Sequence, residues 1–185
     1  MRKLTVCMYG GAREGIDSVY KENVEAFGRK LAEHGHALIF GGGATGLMGA
    51  CARGAQSAGG KIIGVFPTFM SDFEPQFLEA TQVIKTDNMA QRKGVMENNG
   101  DVFVICPGGV GTMDEFFQIL TLNELKRHSG EIILFNINHF FDPMLKAIHI
   151  ARDQGFIRPD IDDYLIIREN VDEIIEVIDQ IAEKE

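Results

Sequence analysis

Short apolar runs of four to seven residues recur along this chain, and longer amphipathic segments separate them. That alternation limits the possible folds more than any other feature. Strands are expected near 4–9, 37–41, 61–66, 82–86, 102–106 and 132–137, with a weaker one at Tyr164-Leu165-Ile166-Ile167. Between them the apolar positions take helical spacing, as at Val24, Phe27 and Leu31. The last segment sets Val171, Ile174, Ile175, Ile178 and Ile181 on one face and acids on the other. A strand that is apolar along its whole length has no face for water. Such strands, alternating with helices, indicate a parallel sheet covered on both sides. The expectation is one Rossmann-like α/β domain over residues 1–185, a mostly parallel sheet of about seven strands with helices on both faces. With 185 residues, 45% of them hydrophobic, the chain can bury the core this requires. No repeat or linker divides it, and 67–81, with Pro67 and Pro75, is the longest irregular connection.

Eighteen basic against twenty-seven acidic side chains give a net charge of −9. This argues against nucleic acid and against an anionic membrane as partners. An anionic ligand must be held by local geometry. The apolar run after Met1 is interrupted at Gly10-Gly11-Ala12-Arg13 before it reaches signal-peptide length, and no stretch approaches the roughly 18 apolar residues of a membrane helix. Cys7, Cys51 and Cys106 lie far apart with no CxxC, which suits buried free thiols in a cytoplasmic protein. The five histidines show no metal-ligand spacing; His34 and His36, flanking Gly35, suit capping or surface positions.

In open parallel sheets, ligands bind beyond the carboxyl ends of the strands. Two glycine loops are expected there. Gly41-Gly42-Gly43-Ala44-Thr45-Gly46 satisfies GxGxxG between a strand and a helix. A dinucleotide site also wants an acid at the end of the next strand, but Ile62-Ile63-Gly64-Val65-Phe66 runs into Pro67-Thr68 and no acid follows until Asp72. Neither loop is a Walker A motif.

The second loop follows Val102-Phe103-Val104-Ile105-Cys106 and reads Pro107-Gly108-Gly109-Val110-Gly111-Thr112-Met113-Asp114-Glu115. Pro107 stops the strand, and the glycines leave backbone amides uncovered by side chains. With Thr112 at a helix N-cap, those amides and the helix dipole make a phosphate site. The same spacing is a capping box, Thr112 with Glu115, which needs no ligand. Arg92 and Lys93 decide between these readings. They open the helix that crosses back to strand 102–106, so Arg92 falls at the carboxyl edge near Glu115. A cation and a carboxylate then converge beside a phosphate-shaped loop.

Together, Gly41 to Gly49, Gly64-Val65-Phe66-Pro67, Met89-Ala90-Gln91-Arg92-Lys93 and Pro107 to Glu115 resemble the Lonely Guy family of cytokinin-activating phosphoribohydrolases, long labelled lysine decarboxylases. The resemblance runs from the first strand to at least residue 145. It implies a nucleotide-binding hydrolase domain that cleaves the N-glycosidic bond of a purine nucleoside 5′-monophosphate, giving free base and ribose 5-phosphate. It implies that Arg92 and Glu115 are catalytic, and that Gly108, Gly109, Val110, Gly111 and Thr112 hold phosphate; Gly42 and Gly43 of the first loop are likewise expected to bind the substrate or its phosphate. It implies further that Glu74, Lys93 and Thr121 line the substrate site, that the chain forms a homodimer, the usual state of a family with a second, hexameric branch, and that it uses no metal or redox cofactor. Two positions depart from the family: Ala90 stands where histidine is frequent, and Gly10-Gly11-Ala12-Arg13-Glu14-Gly15 stands where serines are usual.

Breaking an N-riboside bond develops oxocarbenium character on the sugar. A carboxylate at Glu115 can stabilise that charge, activate water, or attack. Arg92 is too basic to give up a proton and is expected to orient Glu115 and bind ribose or phosphate oxygens. Glu74, Asp114 or water could protonate the leaving base. No lysine has a context suited to pyridoxal chemistry. The alternative is a non-catalytic carrier module on the same fold, which could dispense with the Arg92–Glu115 pair. The helix Phe116–Leu122 is apolar on more than one side, as full burial or a subunit interface would require.

Overall fold

The computed structural model describes residues 2–184. Seven strands are β1 (Thr5–Tyr9), β2 (Ala37–Phe40), β3 (Ile62–Pro67), β4 (Gln82–Thr86), β5 (Val102–Ile105), β6 (Glu131–Phe135) and β7 (Leu165–Arg168). They form one sheet in the order β4-β3-β2-β1-β5-β6-β7, and every pairing is parallel. Among the described residues six α-helices connect or flank them: α1 (Ser18–Glu33), α2 (Gly46–Ser57), α3 (Met89–Asn99), α4 (Val110–Glu124), α5 (Asp142–Asp153) and α6 (Val171–Lys184).

The continuous apolar runs are explained by two cores, one on each face of the sheet. Along β1, Val6 and Met8 join the core beneath α1, α2 and α6, while Cys7 and Tyr9 join the core beneath α3, α4 and α5. The same alternation splits β5 between Val102 and Val104 on one face and Phe103 and Ile105 on the other. Successive side chains of a strand point to opposite faces, so a central strand covered twice must be apolar at every position. All three cysteines are free and buried, and burial pushes their thiols up from the ordinary range.

From β1 the chain steps outward to β2, β3 and β4, then crosses back to β5 and steps outward the other way. The direction reverses between β1 and β5, which opens a crevice beyond their carboxyl ends.

Two local expectations are corrected. The sixth strand ends at Phe135 and not at 137, because Asn136 folds the chain away: its side-chain oxygen accepts from the Phe141 amide at 2.7 Å and its amide group donates to Asp142 at 2.8 Å. His36 is buried and not at the surface. Its Nδ1 accepts from the Leu4 amide at 3.1 Å and its Nε2 lies 3.0 Å from Asp179, tying the residue before β2 to α6. His34 does cap the C-terminus of α1.

Candidate active site

A cavity of about 580 Å³ occupies the crevice beyond β1 and β5. The loop after β1 (Gly10, Gly11, Ala12, Arg13) and the loop after β5 (Pro107 to Thr112) form two of its walls, and Glu74, Arg92, Asp114 and Glu115 supply further polar and charged groups. Ile16, Tyr20, Leu47, Met48, Met70, Met89 and Phe140 make the rest largely apolar. The two loops are stitched together, with the Gly11 amide donating to the Pro107 carbonyl at 3.0 Å.

The loop after β5 differs from the sequence reading in one respect. The helix α4 opens at Val110 with Gly109 as its N-cap, three residues before the expected cap, so Thr112 is not the cap. The glycines allow this early entry, and Gly108 also lets the Thr112 side chain close over it, where a Cβ would overlap the hydroxyl. The capping box is not formed either, because the Glu115 carboxylate is engaged by Arg92 instead. No side chain caps the N-terminus of α4, and its first residues line the cavity. Exposed amides and the positive end of a helix dipole suit a phosphate there.

Arg92 sits in the first turn of α3, at the carboxyl edge of the sheet. Its Nη1 donates to Glu115 Oε1 at 3.0 Å and its Nε donates to the Val65 carbonyl at 3.3 Å. Both side chains are under one tenth exposed. Burial pushes the Glu115 carboxyl up to about 7, against the pull of the Arg92 cation, and neighbouring Asp114 adds to the rise. Glu115 therefore changes charge near neutral pH.

Glu74 lies in the connection between β3 and β4 and faces the same cavity. Its Oε1 accepts from the Thr45 hydroxyl at 3.2 Å, and desolvation raises its carboxyl above the usual range. The first glycine loop shapes this arrangement. A Cβ at Gly41 would overlap Arg92 Nη2, and a Cβ at Gly43 would overlap Glu74 Oε1. The backbone of 74–77 lies against that loop, the Ala44 amide donating to the Pro75 carbonyl and the Phe77 amide to the Gly42 carbonyl, each at 2.8 Å.

Four expected positions stand outside the cavity lining. Gly42 and Gly43 back the wall and shape it. Lys93 is paired with Asp114, which does line the cavity, at 2.8 Å. Thr121, two turns further along α4, is exposed and donates to the Phe117 carbonyl at 2.7 Å. The apolar wall was missed from the sequence. Only the rule that ligands sit at the reversal of strand order could have marked Ile16, through its loop. Tyr20, Met70 and Phe140 carry no local signal. Among the described residues, no group of three or more His, Cys, Asp or Glu side chains could hold a metal ion, and no helix is long and apolar enough to cross a membrane.

A family model described as "Possible lysine decarboxylase" matches residues 48–178. A cytokinin riboside 5′-monophosphate phosphoribohydrolase of Rhodococcoides fascians is 35% identical, over 94% of this chain and 88% of that protein. One of the same name from Arabidopsis thaliana is 27% identical, over 97% of this chain and 84% of that protein. Among solved structures, the molybdenum cofactor binding protein of Rippkaea orientalis superposes with a TM-score of 0.76 at 23% identity, covering 98% of each chain. That likeness shows a shared fold.

Proposed function

The chain belongs to the family described as possible lysine decarboxylases, and from that premise we propose that it is a phosphoribohydrolase of purine nucleoside 5′-monophosphates. The proposed substrate is AMP or an N6-modified relative, cleaved at the N-glycosidic bond to free base and ribose 5-phosphate. One observation carries this reading: a buried Arg92–Glu115 pair beside an uncapped helix N-terminus, in one cavity.

The phosphate sits on the amides of residues 109–112, where the helix dipole favours an anion despite the chain's net charge of −9. The ribose then lies within reach of Glu115. As the bond to the base breaks, the ionised Glu115 opposes the positive charge growing at C1′ and takes a proton from the attacking water. Arg92 holds the carboxylate in place and is too basic to donate. The apolar wall of Tyr20, Met70, Met89 and Phe140 offers a surface for the base. Decarboxylation through a pyridoxal Schiff base has no support in this cavity. No lysine is among its lining residues, and Lys93 is paired with Asp114.

The buried thiols suit a cytoplasmic setting. The exposed Val110, Met113 and Phe117 on α4, 85%, 37% and 42% exposed, suit a face covered by a second copy in a homodimer. Light scattering should then give twice the 20.5 kDa chain mass; the chain mass alone would reject the dimer. The function itself is tested by incubating the protein with AMP and with N6-prenylated AMP and resolving the products by chromatography. Equal amounts of free base and ribose 5-phosphate support it. Tight binding with no base released from either nucleotide rejects it in favour of a carrier.

A further inference from the structure

The leaving base needs a proton, and the Arg92–Glu115 pair does not supply one, since Glu115 receives the proton from water and Arg92 keeps its own. Two other acids line the cavity, Glu74 and Asp114. Asp114 is ion-paired with Lys93 at 2.8 Å. Glu74 is placed differently. It comes from the connection between β3 and β4, and its hydrogen bond is from the Thr45 hydroxyl, not from a lysine or arginine. Its carboxyl rests in the gap left by Gly43, a gap that Met48 also borders, and accepts from the Thr45 hydroxyl. Arg92 stands between the two carboxyls, with Nη1 on Glu115 and Nη2 packed against Gly41, two residues from the Glu74 seat.

Resting on the hydrolase reading above, we propose that Glu74 is the general acid that protonates the departing base. Glu115 accepts from the Arg92 guanidinium while Glu74 accepts from the Thr45 hydroxyl, and the Arg92 charge reaches Glu74 without a hydrogen bond. Desolvation raises Glu74 above the usual carboxylate range, in keeping with this role. The step balances. The C1′–N9 bond breaks and its electron pair passes to the base. The Glu74 proton goes to a ring nitrogen of that base. Water bonds to C1′ and gives its proton to Glu115. Glu74 ends as a carboxylate and Glu115 as an acid, and proton exchange with solvent resets both.

The test compares Glu74→Gln with the unaltered protein on two substrates, AMP and 6-chloropurine riboside 5′-monophosphate. The second has the same phosphate and ribose but a much less basic leaving group. Losing a general acid costs about 10²-fold or more in kcat. That loss is expected on AMP and should shrink at least tenfold on the chloropurine nucleotide, with KM little changed on either. Glu74→Asp, which keeps the acid on a shorter arm, should recover part of the AMP rate. An equal loss on both substrates, or a rise confined to KM, would overturn the proposal and leave Glu74 as a binding group. Failure of the unaltered protein to release either base would sink the hydrolase reading itself, a distinguishable outcome.

Discussion

The molecule has two glycine loops, each running from a strand into a helix at the same sheet edge, and only one presents an open helix N-terminus. At α2 the Gly46 amide donates to the Glu14 carboxylate at 2.9 Å, and the Leu47 amide donates to the Gly11 carbonyl at 2.7 Å. The protein's own β1–α1 loop fills the place a phosphate would take. At α4 no side chain caps the helix, and its first turn faces the cavity. A GxGxxG pattern therefore does not make a phosphate site by itself; what matters is whether the chain has already satisfied the amides. The closed loop has a different task, making room for Arg92 at Gly41 and for Glu74 at Gly43.

The comparison breaks most sharply at the pair where Arg92, seated by the closed loop, meets Glu115 on the helix of the open one. Glu115→Gln or Arg92→Ala should lower kcat for base release by roughly 10²-fold or more while nucleotide binding survives. A variant within about threefold of the unaltered rate would mean that the pair is structural.

The two loops should then separate in kinetics. Gly41→Ala pushes Arg92 off its seat and should cost up to about 10²-fold in kcat, because small misplacements of catalytic groups are expensive. Inhibition by ribose 5-phosphate should hardly change. Gly108→Ala disturbs the open loop by driving Thr112 away, and should weaken ribose 5-phosphate binding first. Steady-state kinetics with product inhibition reads both, and matching effects from the two substitutions would erase the distinction.

A smaller effect follows from pH. Burial holds the folded-state Glu115 near 7, above its ordinary 4.5. The folded protein then binds more proton than the unfolded chain between those values. Glu115 should make the protein less stable as pH rises from about 4.5 to 7, and kcat/KM should climb through about 7 as the carboxylate forms. Glu115→Gln should flatten that part of the stability profile in denaturant titrations. A decline as steep as that of the unaltered protein would place the titration elsewhere. The smallest change is expected from Glu14→Gln, which weakens the plug at α2 on an exposed loop. Its melting temperature should fall only slightly and its kcat should hold; a large loss of kcat would give the closed loop a direct part in the chemistry.

The sequence shows the sheet plainly because continuous apolar runs have few other uses. It also shows that Arg92 and Glu115 meet, since both open helices at the carboxyl edge. The N-terminus of α4 was misread at Thr112, because a Thr-x-x-Glu spacing looks the same whether the glutamate caps its own helix or pairs with a distant arginine. Gly41 and Gly43 as seats could not be read at all. Their role depends on side chains from α3 and from the β3–β4 connection, which only the tertiary fold brings to them. The apolar wall of Tyr20, Met70 and Phe140 was hidden for the same reason.

The central claim is that the open N-terminus of α4 anchors a 5′-phosphate so that Glu115 can act on the sugar. Comparing kcat/KM for AMP with that for adenosine, by direct detection of released adenine, tests it most directly. The account predicts clear release from AMP and a rate about 10²-fold or more lower from adenosine, which lacks the anchor. Equal rates on the two, or no release from AMP, would contradict it.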